Sequence, residues 1–383
     1  MTPALAAALA ERDAAGLYRR RRVVDGPGPH MRVDGRELVA FCSNDYLGLA
    51  SHPEIAAACA AAAQRHGAGA GAAHLVCGHH ALHEELEHAL AAFTGRARAL
   101  VFSTGYMANL GIGTALAGRG ALVVEDRLNH ASLIDASRAG GARVVRYAHG
   151  DAQAAAAKLA AEEARDRFVF TDGVFSMDGD VAPLAELADA CRTHSATLVV
   201  DDAHGLGVLG ATGRGSLEHC ALSPADAPVL MGTLGKAFGV FGAFVAGPDE
   251  VIETLIQHAR TYIYTTALPP ALAAAALTAL RISDDESWRR ERVMELVTRF
   301  RAGAAARGIP LLDSPTPIQP LPVGSAPAAL ERARHLESRG FLVTAIRPPT
   351  VPEGTARLRV TLSAAHQDAE VDALLEALAE EVG

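Results

Sequence analysis

Two short stretches of the chain carry residue types that do chemistry together. Leu198-Val-Val-Asp-Asp-Ala-His-Gly205 ends an apolar run in a carboxylate (Asp201) and an imidazole (His204), and Val229-Leu-Met-Gly-Thr-Leu-Gly-Lys-Ala-Phe-Gly239 sets one lysine, Lys236, among glycines. A lone lysine in an apolar, glycine-rich loop is costly as structure. Desolvated lysines lose their proton more easily and form Schiff bases with carbonyls. A third stretch, Phe102-Ser-Thr-Gly-Tyr-Met-Ala-Asn109, ends a strand in a glycine turn and opens a helix, whose N–H groups and dipole favour an anion. Amine, carboxylate and anion site together match the needs of pyridoxal 5′-phosphate (PLP): a lysine for the Schiff base, a carboxylate to keep the ring nitrogen protonated, and donors for the phosphate. Lys236 takes the first role and Asp201, 35 residues upstream, the second.

Strand ends must hold these groups in place. From about residue 50 to 280 the apolar runs Ala99–Phe102, Ala121–Glu125, Arg143–Arg146, Arg167–Phe170, Ala196–Val200, Pro228–Met231 and Gly242–Ala246 alternate with helical stretches. That alternation predicts an α/β fold with a mostly parallel, seven-stranded sheet covered by helices on both faces. Ligands of such sheets gather at the carboxyl ends of the strands. Residues 1–45 read as an N-terminal arm, a helix and then a hairpin turning at Asp34-Gly35. Residues 46–282 are expected to form the large cofactor-binding domain and 283–383 a smaller α+β C-terminal domain. In the latter, Asp284–Arg292 is expected to open a charged helix, Pro310–Pro322 and Pro348–Pro352 to be extended loops, Phe341–Ile346 and Arg357–Leu362 to be strands, and an acidic helix to run to Val382.

Composition narrows the partners. There are 35 Lys and Arg against 44 Asp and Glu, a net charge of −9, which disfavours nucleic acid because backbone binding needs a basic surface. Half the residues are hydrophobic, enough for a large core. The five cysteines are scattered without C-x-x-C spacing and read as reduced thiols of a cytoplasmic protein. Met1–Ala10 lacks the basic region of a signal peptide. The uncharged windows Ala99–Gly118 and Thr261–Leu280 are broken by glycines or by Pro269-Pro270, so no membrane span is expected.

The chain resembles the α-oxoamine synthases, PLP enzymes of aminotransferase fold type I that join an amino acid to an acyl thioester. The resemblance runs nearly end to end and rests on Ser43-Asn-Asp-Tyr-Leu-Gly-Leu49, Asn129-His-Ala-Ser-Leu133, Thr171–Asp180, Val200–Gly205 and Gly232-Thr-Leu-Gly-Lys236. Within the family, Ile318-Gln-Pro320 and Ala345–Arg359 look most like the member of biotin biosynthesis, which condenses L-alanine with pimeloyl-CoA or pimeloyl-carrier protein and releases CO2. Members that use glycine, of the 2-amino-3-oxobutyrate CoA ligase or 5-aminolevulinate synthase type, are the alternative.

The resemblance implies roles residue by residue. Lys236 carries the Schiff base, Asp201 pairs with the ring nitrogen, His130 stacks on the ring and bears on substrate, and His204 contacts the phenolic oxygen. Gly105, Tyr106, Ser176 and Thr233 belong to the cofactor shell. Thr265 or Thr266 reaches the phosphate in the partner subunit, which makes a homodimer with shared sites. Asn44, Thr350 and Arg359 face substrate, Arg359 as the clamp on the amino-acid carboxylate. One arginine of the 19–22 run, with Arg19 as the candidate, meets the acyl chain.

Two motifs are set aside. Gly67-Ala-Gly-Ala-Gly71 follows a helical stretch and lacks the third glycine of a dinucleotide loop, so a nicotinamide oxidoreductase is not expected. In the family such glycines let a loop approach the active site; here Ala72-Ala73-His74 follow, where relatives often carry a hydroxyl. His79-His-Ala-Leu-His-Glu-Glu-Leu-Glu-His88 misses the H-E-x-x-H spacing by one residue and reads as the polar face of a helix, with no metal expected.

Overall fold

The computed structural model describes residues 3–380, which fall into two compact units. One comprises Leu47–Ser176 and Asp180–Arg290; the other comprises the described residues up to Tyr46, Met177–Gly179 and those from Glu291 on.

The first unit is built on a seven-stranded sheet in the order Arg98–Phe102, Ala243–Gly247, Val229–Thr233, Thr197–Asp201, Arg167–Asp172, Leu122–Asp126 and Arg143–Tyr147. Ala243–Gly247 runs antiparallel to both neighbours and the rest are parallel, as βαβ crossovers demand. Each strand lies within one or two residues of an apolar run seen in the sequence. Alternate residues face opposite ways: Phe168 and Phe170 join Leu100, Val199, Met231 and Val245 in one core with helix residues Ala108, Ile112 and Leu133. Both faces are covered by helices, so the strands read as unbroken apolar runs. Register aligns the strand ends. Asp172, Asp201 and Met231 form one row, and Phe102, Ala243 and Thr233 another. No helix among the described residues is long and apolar enough to cross a membrane.

The second unit holds two small sheets. His30–Val33 and Arg36–Ala40 form the expected hairpin, with Asp34 at φ 50° and Gly35 at φ 84°, the two left-handed residues that a tight two-residue turn requires. Ile318–Gly324, Ala356–Thr361 and Thr344–Ile346 form a three-stranded antiparallel sheet. Phe41, Leu296, Phe300, Leu336, Leu358 and Leu374 share its core.

Three expectations about the chain after residue 283 are corrected, and a fourth cannot be followed to its end. Asp284 and Asp285 end the helix Pro270–Asp285, and the charged helix begins at Trp288 after a break at Glu286 and Ser287. Pro310–Pro322 is not all loop, because Ile318–Gly324 pairs as an edge strand, where proline costs no ladder bond. Phe341–Ile346 is two strands: Phe341–Leu342 runs parallel to Val39–Ala40, and after the buried Val343 the chain joins the other sheet as Thr344–Ile346. The last helix is Asp368–Ala379, and Val382 lies outside the described residues.

Candidate active site

In the first unit the predicted cofactor residues occupy one edge of the sheet. Asp201 ends Thr197–Asp201 and is 4% exposed. Its Oδ2 accepts from Asn109 Nδ2 at 2.7 Å and its Oδ1 from the Ala203 N–H at 3.0 Å, so the carboxylate is fixed by two donors. Three residues on, buried His204 places Nε2 3.0 Å from Nζ of half-buried Lys236. Lys236 sits just past Val229–Thr233, the strand beside that of Asp201.

His130 follows Leu122–Asp126 as the N-cap of the helix Ala131–Ala139. Its backbone N–H donates to Asp172 Oδ2 at 2.6 Å and its Nδ1 lies 2.7 Å from Ser132 Oγ, while the ring keeps a side open to solvent. Partial burial lowers its pKa, with Asp201 opposing and Lys236 adding to the shift. Asp172, fully enclosed with Asp201 beside it, is pushed well above the usual carboxylate range. Asn109 joins these groups by donating also to Ser132 Oγ at 2.8 Å. The sequence reading did not assign Asn109, Ser132 or Asp172 a role. Asn109 stands four residues after Gly105, on the same face of its helix, and that spacing was the available signal.

Gly105 begins the helix Gly105–Leu116, whose N-cap Thr104 accepts from the Met107 N–H at 3.2 Å. Its first N–H groups have no intrahelical acceptor. Tyr106 is 43% exposed and its hydroxyl donates to Asp135. Thr233 Oγ1 donates to the Gly242 carbonyl at 3.0 Å and accepts the Gly235 N–H at 3.2 Å, which shapes the turn before Lys236. Half-buried Ser176 lies beyond the end of Arg167–Asp172. Thr265 is half-buried and Thr266 exposed, between the short helix Arg260–Ile263 and Pro269. An amine, a doubly anchored carboxylate, an open imidazole face and a helix start on one sheet edge form a donor set that fits PLP. Asn109 Oδ1, buried without a hydrogen-bond partner among the described residues, marks this edge as a place with polar capacity to spare.

The second unit holds the predicted substrate residues. Arg359, 6% exposed, donates through both Nη1 and Nη2 to Asn44 Oδ1 at 3.2 Å, and Tyr46 Oη donates to the same oxygen at 3.2 Å. Asn44 keeps its place because its segment is stitched to the chain after Ala356–Thr361: the Thr361 N–H donates to Phe41 O at 2.8 Å, Ser363 Oγ to Asp45 O at 2.6 Å and the Ala364 N–H to Tyr46 O at 2.8 Å. The arginine run sorts itself by partner. Arg22 is locked to Asp34 and Glu337 and Arg20 pairs with Asp13, whereas Arg19 Nη2 donates to Thr350 Oγ1 at 3.3 Å. Arg347 holds the arm there by donating to Gly16 O at 2.8 Å and Tyr18 O at 3.0 Å.

Known proteins share this architecture. The chain is 63% identical to the 8-amino-7-oxononanoate synthase of Thioalkalivibrio sulfidiphilus, across 97% of this chain and 95% of that one. It is 61% identical to that of Methylococcus capsulatus, across 98% of each. Among solved structures, a serine palmitoyltransferase from S. paucimobilis with a bound PLP–myriocin aldimine matches with TM-score 0.93 and 30% identity, covering 99% of this chain and 96% of that one. The 8-amino-7-oxononanoate synthase from Francisella tularensis matches with TM-score 0.79 and 31% identity, covering 90% and 98%. The family described as aminotransferase class I and II matches residues 36–378. Sequence, fold and strand-end chemistry therefore agree that the chain belongs to the class I and II aminotransferase family.

Proposed function

We propose that the protein is a PLP-dependent acyltransferase of biotin biosynthesis, condensing L-alanine with a pimeloyl thioester to give 8-amino-7-oxononanoate, free thiol and CO2. The observation that carries the chemical part of this reading is the 3.0 Å approach of Lys236 Nζ to His204 Nε2 on the sheet edge that holds Asp201. When bound, PLP supplies an aldehyde for covalent capture of an amine and a cationic ring that accepts electrons from the substrate carbon.

Each residue then has a defined task. Lys236 would hold the cofactor through Nζ, and its amine would be the base that takes the Cα proton of alanine. His204 fixes that amine by hydrogen bonding and exchanges a proton with it. Asp201, anchored by Asn109 and Ala203, would face the ring nitrogen and favour its protonated form. His130 would stack on the ring, and the helix starting at Gly105 would offer N–H groups to the phosphate, with Tyr106 and Thr233 beside it and Ser176 in the cofactor shell with His204. Arg359, steadied by Asn44, clamps the carboxylate of alanine until it leaves as CO2.

The acyl donor is the CoA or carrier-protein thioester, and Arg19 with Thr350 receives its far carboxylate. We also propose a homodimer in which Thr265 or Thr266 serves the partner's cofactor. A cytoplasmic location belongs to the same reading, supported by five free cysteines. Visible absorbance after PLP addition tests the cofactor assignment. Wild-type protein should turn yellow and lose that band on borohydride reduction, Lys236→Ala should not develop it, and a colourless wild type would overturn the assignment.

A further inference from the structure

We propose that His74, His79 and His83 form a binding site for a divalent transition-metal ion that favours imidazole, with Zn2+ as the type ion. The proposal is independent of the function assigned above. The helical spacing H-E-x-x-H is not its source. In the helix Ala81–Thr94, His88 points to solvent with 77% of its side chain exposed and pairs with Glu84. The third imidazole comes instead from the turn His74–Gly78, which doubles back before the helix begins. The reversal is tight enough that a Cβ at Gly78 would lie 2.1 Å from Ala72 O, so only glycine fits there.

The turn brings three rings around one point. Their centroids are 5.2 Å apart for His74 and His79, 5.0 Å for His74 and His83, and 5.6 Å for His79 and His83. His74 Nδ1 lies 2.9 Å from His79 Nδ1, and one nitrogen from each ring falls within 4.8 Å of the others. A tetrahedral ion with metal–nitrogen bonds of about 2.0–2.1 Å holds its ligand nitrogens roughly 3.3 Å apart, so the His74–His79 pair opens by a few tenths of an ångström and His83 Nδ1 exchanges its bond from the His80 N–H for the ion.

The outer contacts match those that orient metal-bound histidines. His79 Nε2 lies 3.1 Å from Glu84 Oε2. His83 Nε2 donates to Leu268 O at 2.6 Å, leaving for an ion the Nδ1 that now accepts the His80 N–H at 2.9 Å. His74 is 7% exposed and stacks on Tyr262 at 4.9 Å. Glu84, more than half exposed beside His79, supplies compensating negative charge. The turn lies at the surface of the chain, with Val76 77% exposed and the His79 side chain 29% exposed.

The test is equilibrium dialysis of untagged, PLP-loaded protein against Zn2+ and against Co2+, with metal analysis, the visible spectrum of bound Co2+ and thermal melting. One ion per chain is expected, with a Tm that rises with ion concentration. His79→Gln is the decisive variant, because its side chain is 29% exposed and outside the core. It should weaken binding at least about tenfold, Glu84→Gln should weaken it roughly tenfold through the outer contact, and His88→Gln should leave it unchanged. Failure to bind one ion per chain, or binding by His79→Gln equal to wild type, would overturn the proposal and leave the trio a hydrogen-bonded histidine network.

Discussion

Asn109 Nδ2 donates to Asp201 Oδ2 at 2.7 Å, joining the helix that starts at Gly105, the proposed phosphate site, to the carboxylate that ends Thr197–Asp201. A hydrogen bond to a charged group contributes about 1.5–3 kcal/mol, roughly ten- to a hundredfold in rate if it acts in the transition state. Asn109→Ala should lower kcat by that factor while PLP still binds, as checked by turnover and visible absorbance on one sample. Unchanged turnover would show that Asp201 needs no such support.

Removing the carboxylate itself should cost more. Asp201→Asn keeps the shape but not the charge, and turnover should fall at least about a hundredfold with the cofactor retained. Steady-state kinetics at saturating PLP separates this from a loss of binding.

The split within the arginine run predicts different phenotypes for neighbouring residues. Arg19→Gln should raise KM for the pimeloyl thioester about tenfold or more and leave KM for alanine unchanged. Arg22→Gln, which breaks contacts to Asp34 and Glu337, should leave both KM values unchanged and lower Tm. If Arg22 rather than Arg19 governs acyl KM, the arm is set in another register.

His366 makes the second unit acid-sensitive. It is 3% exposed, stacks on Phe41 at 4.1 Å, accepts the Ser363 N–H on Nδ1 and donates from Nε2 to Ala40 O. Burial lowers its pKa to about 4, against about 6.5 when unfolded. The unfolded chain therefore binds the proton more readily, so the stabilisation is complete above pH 6.5 and is lost as pH falls through 4, by at most about 3 kcal/mol. The drop in Tm between pH 6.5 and 4 should be smaller in His366→Asn than in wild type.

Much of this was legible in the sequence, for physical reasons. Strands buried on both faces advertise themselves as unbroken apolar runs, and chemistry at their ends is then fixed by position, which is why Asp201, His204 and Lys236 fall where expected. Ile318–Gly324 was hidden because Pro320 and Pro322 argue against a strand until the edge position is known. Local pattern also could not show that Phe341–Ile346 divides between two sheets. Asn109 and His74 were missed as members of clusters because their partners, Asp201 for one and His79 and His83 for the other, are brought close by the fold. The arm's arginines look alike as a charge run, and only Thr350, 331 residues from Arg19, tells them apart.

The central claim is the reaction, and thiol release tests it most directly. PLP-loaded protein should be offered pimeloyl, acetyl and succinyl thioesters, each with L-alanine and with glycine. The account predicts rapid release with the pimeloyl thioester and alanine, with the other pairs far slower. Release only with glycine, or none with the pimeloyl thioester, would contradict it.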